Sequence, residues 1–100
     1  MIEIVLRDVD PNGKVSRHRE LCDKLNEIYE AKNKAYGDSF GRTYGQLGIV
    51  SAITRMSDKW NRLVNLATNT DTDCGDESIK DTLIDLANYC LMTVMEIEDE

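Results

Sequence analysis

The sequence predicts a mainly all-α fold: three long helices behind a short N-terminal β element, with the core completed by oligomerisation. Three observations predict it. From residue 16 onward apolar residues recur three and four positions apart, the period of one helix face. Two stretches, one rich in glycine over 37–48 and one rich in Thr and Asp over 69–76, interrupt that pattern and divide it into three. The third segment is apolar on more sides than two neighbouring helices can cover, which asks for a second copy of the chain. One hundred residues make one domain, read as an N-terminal hairpin or strand over 1–15 and a helical unit over 16–100.

Ile2-Glu3-Ile4-Val5-Leu6 alternates and is β-branched, so it reads as a short strand. Asp10-Pro11-Asn12-Gly13 reads as a tight turn, and Val15 as the start of a return strand. Ser16 is the expected N-cap of the first helix, whose face carries Leu21, Leu25 and Ile28 with Cys22, Tyr29 and Tyr36 beside them. Gly37 ends it. Residues 38–48, with Phe40, Tyr44 and Leu47 among three glycines, read as a structured connector containing one helical turn. The second helix is expected from about Ile49 to about Thr68, with Ile49, Ile53, Met56, Trp60, Leu63 and Ala67 on one stripe. The third starts near Asp76 or Ser78. Its main stripe is Ile79, Leu83, Leu86, Ala87, Cys90, Val94 and Ile97, and Ile84, Leu91, Met92 and Met95 add apolar residues on further sides.

The balance of 12 basic against 19 acidic residues gives a formal charge of −7, which argues against a duplex-binding protein that needs a basic face. A small phosphorylated ligand stays open, because a local cluster or a cation can supply the positive charge. Cys22, Cys74 and Cys90 are odd in number and widely spaced, and His18 has no partner at zinc spacing, so reduced thiols in a cytoplasm are expected. Met1–Leu6 lacks the basic start and cleavage site of a signal peptide, and no apolar run reaches membrane-spanning length.

Three clusters can carry chemistry. On the third helix Glu77, Asp81, Asp85 and Asn88 stack on one face, a row tolerated because water screens it or because a cation occupies it. Oxygen donors of this kind suit Mg²⁺. On the second helix Arg55, Asp58, Lys59 and Arg62 share a face, where they clamp a phosphate chain, pair with the acidic row, or face water. On the first helix Lys32 falls in line with Leu21, Leu25 and Ile28, where an ammonium must snorkel or find an anion. Asp81 and Asp85 are the expected carboxylate partners.

These segments together resemble a known family. Lys32-Asn33-Lys34-Ala35-Tyr36-Gly37-Asp38-Ser39-Phe40 is similar to the KNxxYGDSF signature of the first nucleotide modification associated domain family, found largely in phages and prophages. Residues 55–63 resemble its RxxDKxxRL segment, and residues 77–89 its ESxxDTLxDLANY segment. The match runs from about Leu21 to Glu96 and leaves 1–15 outside. The resemblance extends to the all-α MazG-like and dimeric dUTPase pyrophosphohydrolases, and it implies a three-helix MazG-like subunit that assembles as a homodimer or homotetramer. Those enzymes hold Mg²⁺ with an ExxE on one helix and an ExxD on the next, and water attacks a metal-bridged phosphate. Here the second helix offers the single carboxylate Asp58, and the third offers Glu77, Asp81 and Asp85 four apart. The implied metal site is thinner and more basic than theirs.

The resemblance implies a phage-type nucleotide-binding protein, in the host cytoplasm if phage-encoded, acting as a Mg²⁺-dependent pyrophosphohydrolase in modified-nucleotide metabolism. Asp58, Asp81 and Asp85 would hold Mg²⁺, with Glu77, Asp81 and Asp85 as the catalytic set. Lys32, Arg55, Lys59 and Arg62 would neutralise phosphates, and Tyr36, Asp38 and Asn88 would contact base or sugar. Two rivals stand beside it: a non-catalytic binder that sequesters a nucleotide signal of host defence, favoured by the missing ExxE, and a structural helical oligomer.

Overall fold

A computed structural model describes residues 10–69 and 75–100, with the side chains of the last helix from Ser78 onward. Among the described residues there are four helices and no strand: α1 (Lys14–Tyr36), α2 (Ser39–Leu47), α3 (Ile49–Thr68) and α4 (Gly75–Glu98). No helix of the described residues is long and apolar enough to cross a membrane. The strand expected over 2–6 lies outside the described residues.

The turn at Asp10–Gly13 leads directly into α1, so Val15 is helical and starts no return strand. Ser16 lies inside the helix and is not its N-cap. Asp10 explains both corrections. Its carboxylate accepts the Val15 and Ser16 amides at 2.8 and 3.2 Å and the Ser16 hydroxyl at 2.5 Å. These are the amides a helix start leaves unsatisfied, so a carboxylate behind the turn does the capping. The Ser16 hydrogen bond, with help from the two amides, outweighs desolvation and holds the Asp10 carboxyl below the usual carboxylate range.

The connector expected over 38–48 is a nine-residue helix, α2. Burial overrides its poor local propensity: Phe40 and Tyr44, four apart, both go inside and form the core with Ala52 of α3. Met56, Tyr89 and Met92 pack against that cluster. Ala52 is fully buried, and its small side chain lets α3 lie close against its neighbours. The Tyr44 hydroxyl donates to the Glu100 carboxylate at 2.8 Å, tying α2 to the end of α4.

The α3–α4 pair buries polar groups beside its apolar contacts and leaves much apolar surface outside. The buried residues of α4 are Thr82, Asn88 and Thr93, while Leu83, Leu91, Val94 and Ile97 of its apolar sides are exposed. On α3 the covered face runs through Ala52, Met56 and Leu63, and Ile49, Ile53 and Trp60 of the expected stripe face outward, Trp60 with 60% of its surface accessible. The two threonines tolerate burial because each hydroxyl donates to the carbonyl four residues back, Ser78 at 2.7 Å and Tyr89 at 2.6 Å. No residue of α1 is fully buried; this helix is held to α4 by polar contacts, among them Asn88 Nδ2 donating to the Leu25 carbonyl at 3.1 Å. The radius of gyration is 17.0 Å, against about 13 Å for a compact domain of this length.

Candidate ligand cavity

Local backbone geometry opens the cavity. Gly37 ends α1 with φ 60°, its amide donating to the Asn33 carbonyl at 2.8 Å, and Asp38 follows with φ 56°. Two successive left-handed residues reverse the chain within one step. Glycine takes that conformation without cost, and aspartate is among the few other residues that adopt it. Asp38 then caps α2 by accepting the Gly41 amide at 3.4 Å. Arg42 reaches back from α2 and donates to the Gly37 and Tyr36 carbonyls, which braces the reversal. The result sets Phe40 against Tyr89 of α4, ring centroids 5.9 Å apart and planes inclined by 22°. A Cβ added at Gly41 would meet Asp38 Oδ2 at 2.6 Å and Glu96 Oε1 at 2.8 Å, so both carboxylates would have to give way.

Between α1, the start of α2, α3 and α4 lies a cavity of about 340 Å³, within the range of small-ligand sites. Its lining is Tyr29, Lys32, Asn33, Tyr36, Asp38, Ser39, Phe40, Arg55, Lys59, Asp85, Asn88, Tyr89 and Met92. Three cations thus converge in a chain whose overall charge is −7.

Their partners differ. Asp85 accepts Lys32 Nζ at Oδ1, 3.1 Å away, and Lys59 Nζ at Oδ2, 3.0 Å away, so one carboxylate joins α1, α3 and α4. Partial burial pushes the Asp85 carboxyl up, but the hydrogen bonds from Lys59 and Lys32 outweigh it and the net displacement is downward. Arg55 has no carboxylate partner among the described residues; its guanidinium lies over the Phe40 ring, 5.4 Å from the centroid.

Of the residues singled out from sequence, Lys32, Tyr36, Asp38, Arg55, Lys59, Asp85 and Asn88 line the cavity together. Asp58, Arg62 and Asp81 are exposed and do not line it; Arg62 donates its Nε to the Thr82 hydroxyl at 3.2 Å. The Glu77 side chain lies outside the described residues. Sequence reasoning missed Tyr29, Asn33, Ser39, Phe40, Tyr89 and Met92 as lining residues. The signal was within reach for most: Asn33, Ser39, Phe40 and Tyr89 sit inside the motif segments, and Tyr29 is seven residues before Tyr36 on the same helix face.

Two carboxylates, Asp38 and Asp85, line the cavity, and both are engaged. No group of three metal-binding side chains occurs among the described residues. His18 and Cys22 touch on the exposed side of α1, Nδ1 and Sγ 3.6 Å apart, well away from these groups in sequence.

The family model described as Nucleotide modification associated domain 1 matches residues 32–97, a span that begins at Lys32 and takes in every lining residue but Tyr29. No curated protein matches the chain, and no solved structure does.

Proposed function

The chain belongs to the Nucleotide modification associated domain 1 family, and from that premise we propose that it binds a phosphorylated nucleotide in the cavity between α1, α3 and α4. The observation that carries the reading is Arg55. A guanidinium held over an aromatic ring, without an acidic partner among the described residues and beside two lysines, is an open place for an anion. Lys32 and Lys59 extend that place, and Tyr29 and Tyr36 offer ring faces for a base. Asn88 spends its amide nitrogen on the Leu25 carbonyl, which leaves its carboxamide oxygen as an acceptor for a base or sugar donor. The test is an NMR titration with the deoxynucleoside phosphates. Shifts concentrated at Tyr36, Phe40, Arg55 and Tyr89 are expected; a flat response across all of them defeats the reading.

The pyrophosphohydrolase reading asks for more. Asp85 and Asp38 would have to exchange their present partners for a cation, and Asp58 and Asp81 lie outside the lining. No hydrolytic step is derived from this arrangement, and binding without turnover, as in a sequestering protein of phage origin, fits it better. Release of pyrophosphate from a nucleoside triphosphate in Mg²⁺, absent in the Asp85→Asn protein, would restore the enzyme reading. We also propose a homodimer or homotetramer that covers the exposed apolar faces of α3 and α4, since Ile49, Ile53, Trp60, Leu83, Val94 and Ile97 form more outward apolar surface than scattered single residues would.

A further inference from the structure

Asp85 is the odd group in a cavity that gathers cations. It lies between Lys32 and Lys59, 3.1 and 3.0 Å from their ammonium nitrogens, and neither lysine makes another ion pair among the described residues. The second lining carboxylate, Asp38, is turned to the Gly41 amide as the cap of α2. The anion positions are therefore unequal: the one at Arg55 is open, and the one between the two lysines is already held by a carboxylate.

Resting on the nucleotide reading, we infer that Asp85 is a charge-selecting residue that fits the cavity to a nucleoside monophosphate and disfavours longer phosphate chains that carry no cation. Three cations against the two lining carboxylates, Asp38 and Asp85, leave one positive charge for the ligand. A terminal phosphate monoester carries about −1.5 to −2 at neutral pH, so a monophosphate comes nearest to that remainder and each added phosphoryl group moves further from it. It can take Arg55 and the spare N–H donors of the lysines while Asp85 stays in place. A second or third phosphoryl group must either displace Asp85 from both ammonium groups or sit beside it as a like charge. Neither cost falls on the monophosphate.

The experiment is an NMR titration of the full chain in EDTA, at fixed ionic strength, with the four deoxynucleosides as mono-, di- and triphosphates. The wild type is expected to bind its preferred monophosphate more tightly than the matching triphosphate. Asp85→Asn keeps shape and a hydrogen-bond acceptor but removes the charge. It is expected to raise triphosphate affinity about tenfold while changing monophosphate affinity less than about threefold. A wild type that prefers the triphosphate in EDTA overturns the inference without any variant, as does an Asp85→Asn protein whose triphosphate affinity falls or stays unchanged. Nucleotide binding with no order by charge sinks this inference alone. No binding of any nucleotide by the wild type sinks the nucleotide reading together with it.

Discussion

The inward and outward faces of the α3–α4 pair separate polar from apolar groups less sharply than in an ordinary helical subunit. Toward α1 and α2 the pair shows Arg55, Lys59, Asp85, Asn88 and the Tyr89 ring around a cavity, with threonines buried nearby. Toward solvent it shows Ile49, Ile53, Trp60, Val64, Leu83, Leu91, Val94 and Ile97. Apolar area removed from water is the main favourable contribution to folding, at roughly 25 cal/mol per Å², and here much of that area is left on the outside. The inner face is arranged for polar contacts that hold three helices around a space. The outer face is where further stabilisation is available, and the long radius of gyration agrees with a subunit that is not closed on itself.

The largest expected effect comes from breaking the outer face. Light scattering at micromolar concentration should give at least twice the 11.4 kDa chain mass. Replacing Trp60 and Val94 by aspartate should weaken association by about a hundredfold or more, since a charge buried without a partner is costly. A wild type that is a clean monomer removes the argument from the outer face and leaves the cavity untouched.

Next comes Arg55, on the inner face. Arg55→Met keeps a stem over Phe40 and deletes the charge, so the fold should melt nearly as before. Loss of a charged hydrogen bond to a phosphate, about 1.5–3 kcal/mol, should weaken nucleotide binding ten- to hundredfold. Unchanged affinity would mean that the guanidinium serves only to pack on the ring. Lys32→Met offers a graded companion: its side chain is 56% exposed and shared with Asp85, so a smaller loss is expected.

A third test separates the wall of the cavity from its charges. Gly41→Ala puts a methyl group within 3 Å of the Asp38 and Glu96 carboxylates. Such overpacking costs about 1–3 kcal/mol, and α2 would shift with Phe40 and the Asp38 cap. Thermal melting and nucleotide affinity should fall together, whereas oligomer mass should hold. Wild-type melting in the Gly41→Ala protein would show that the carboxylates move aside freely.

How much of this was legible in the sequence follows from angles and burial. Lys32, Arg55, Lys59 and Asp85 could be singled out because charges on helices with apolar periodicity stand out. Their grouping could not be read, since steps of four residues advance about 40° around a helix. Asp85 turns inward while Asp81, one such step earlier, stays in solvent. Asp58 precedes Lys59 by one residue and so lies about 100° from it, outside the lining. The helix α2 was hidden by Gly41 and Gly45, which lower local propensity; only the packing of Phe40 and Tyr44 reveals why it forms. The apolar stripes of the second and third predicted helices were legible as stripes. Periodicity cannot say whether a stripe faces its own chain or another surface.

The smallest expected effect is the response of the inner face to acid. The carboxyl of Asp85 lies below its ordinary value because the Lys59 and Lys32 hydrogen bonds outweigh partial burial. A depressed carboxyl stabilises the fold above its unfolded value, and that contribution is lost as pH falls through the lower folded value. Neutral solution therefore carries the full contribution and strongly acidic solution none. Its side chain is 27% exposed and that of its partner Lys32 56%, so solvent screens the pair and the contribution is about 1 kcal/mol or less. Melting temperatures of wild type and Asp85→Asn should differ by at most a few degrees at pH 7, with the wild type higher, and the gap should close as pH drops below the carboxylate range. A gap that persists at low pH, or an Asp85→Asn protein that melts higher at neutrality, would mean that burial dominates and that the lysine pair is held by something other than this carboxylate. The outer face supplies the control. Its aliphatic and indole side chains do not titrate, so the acid-dependent part of the difference between the two proteins should be independent of protein concentration.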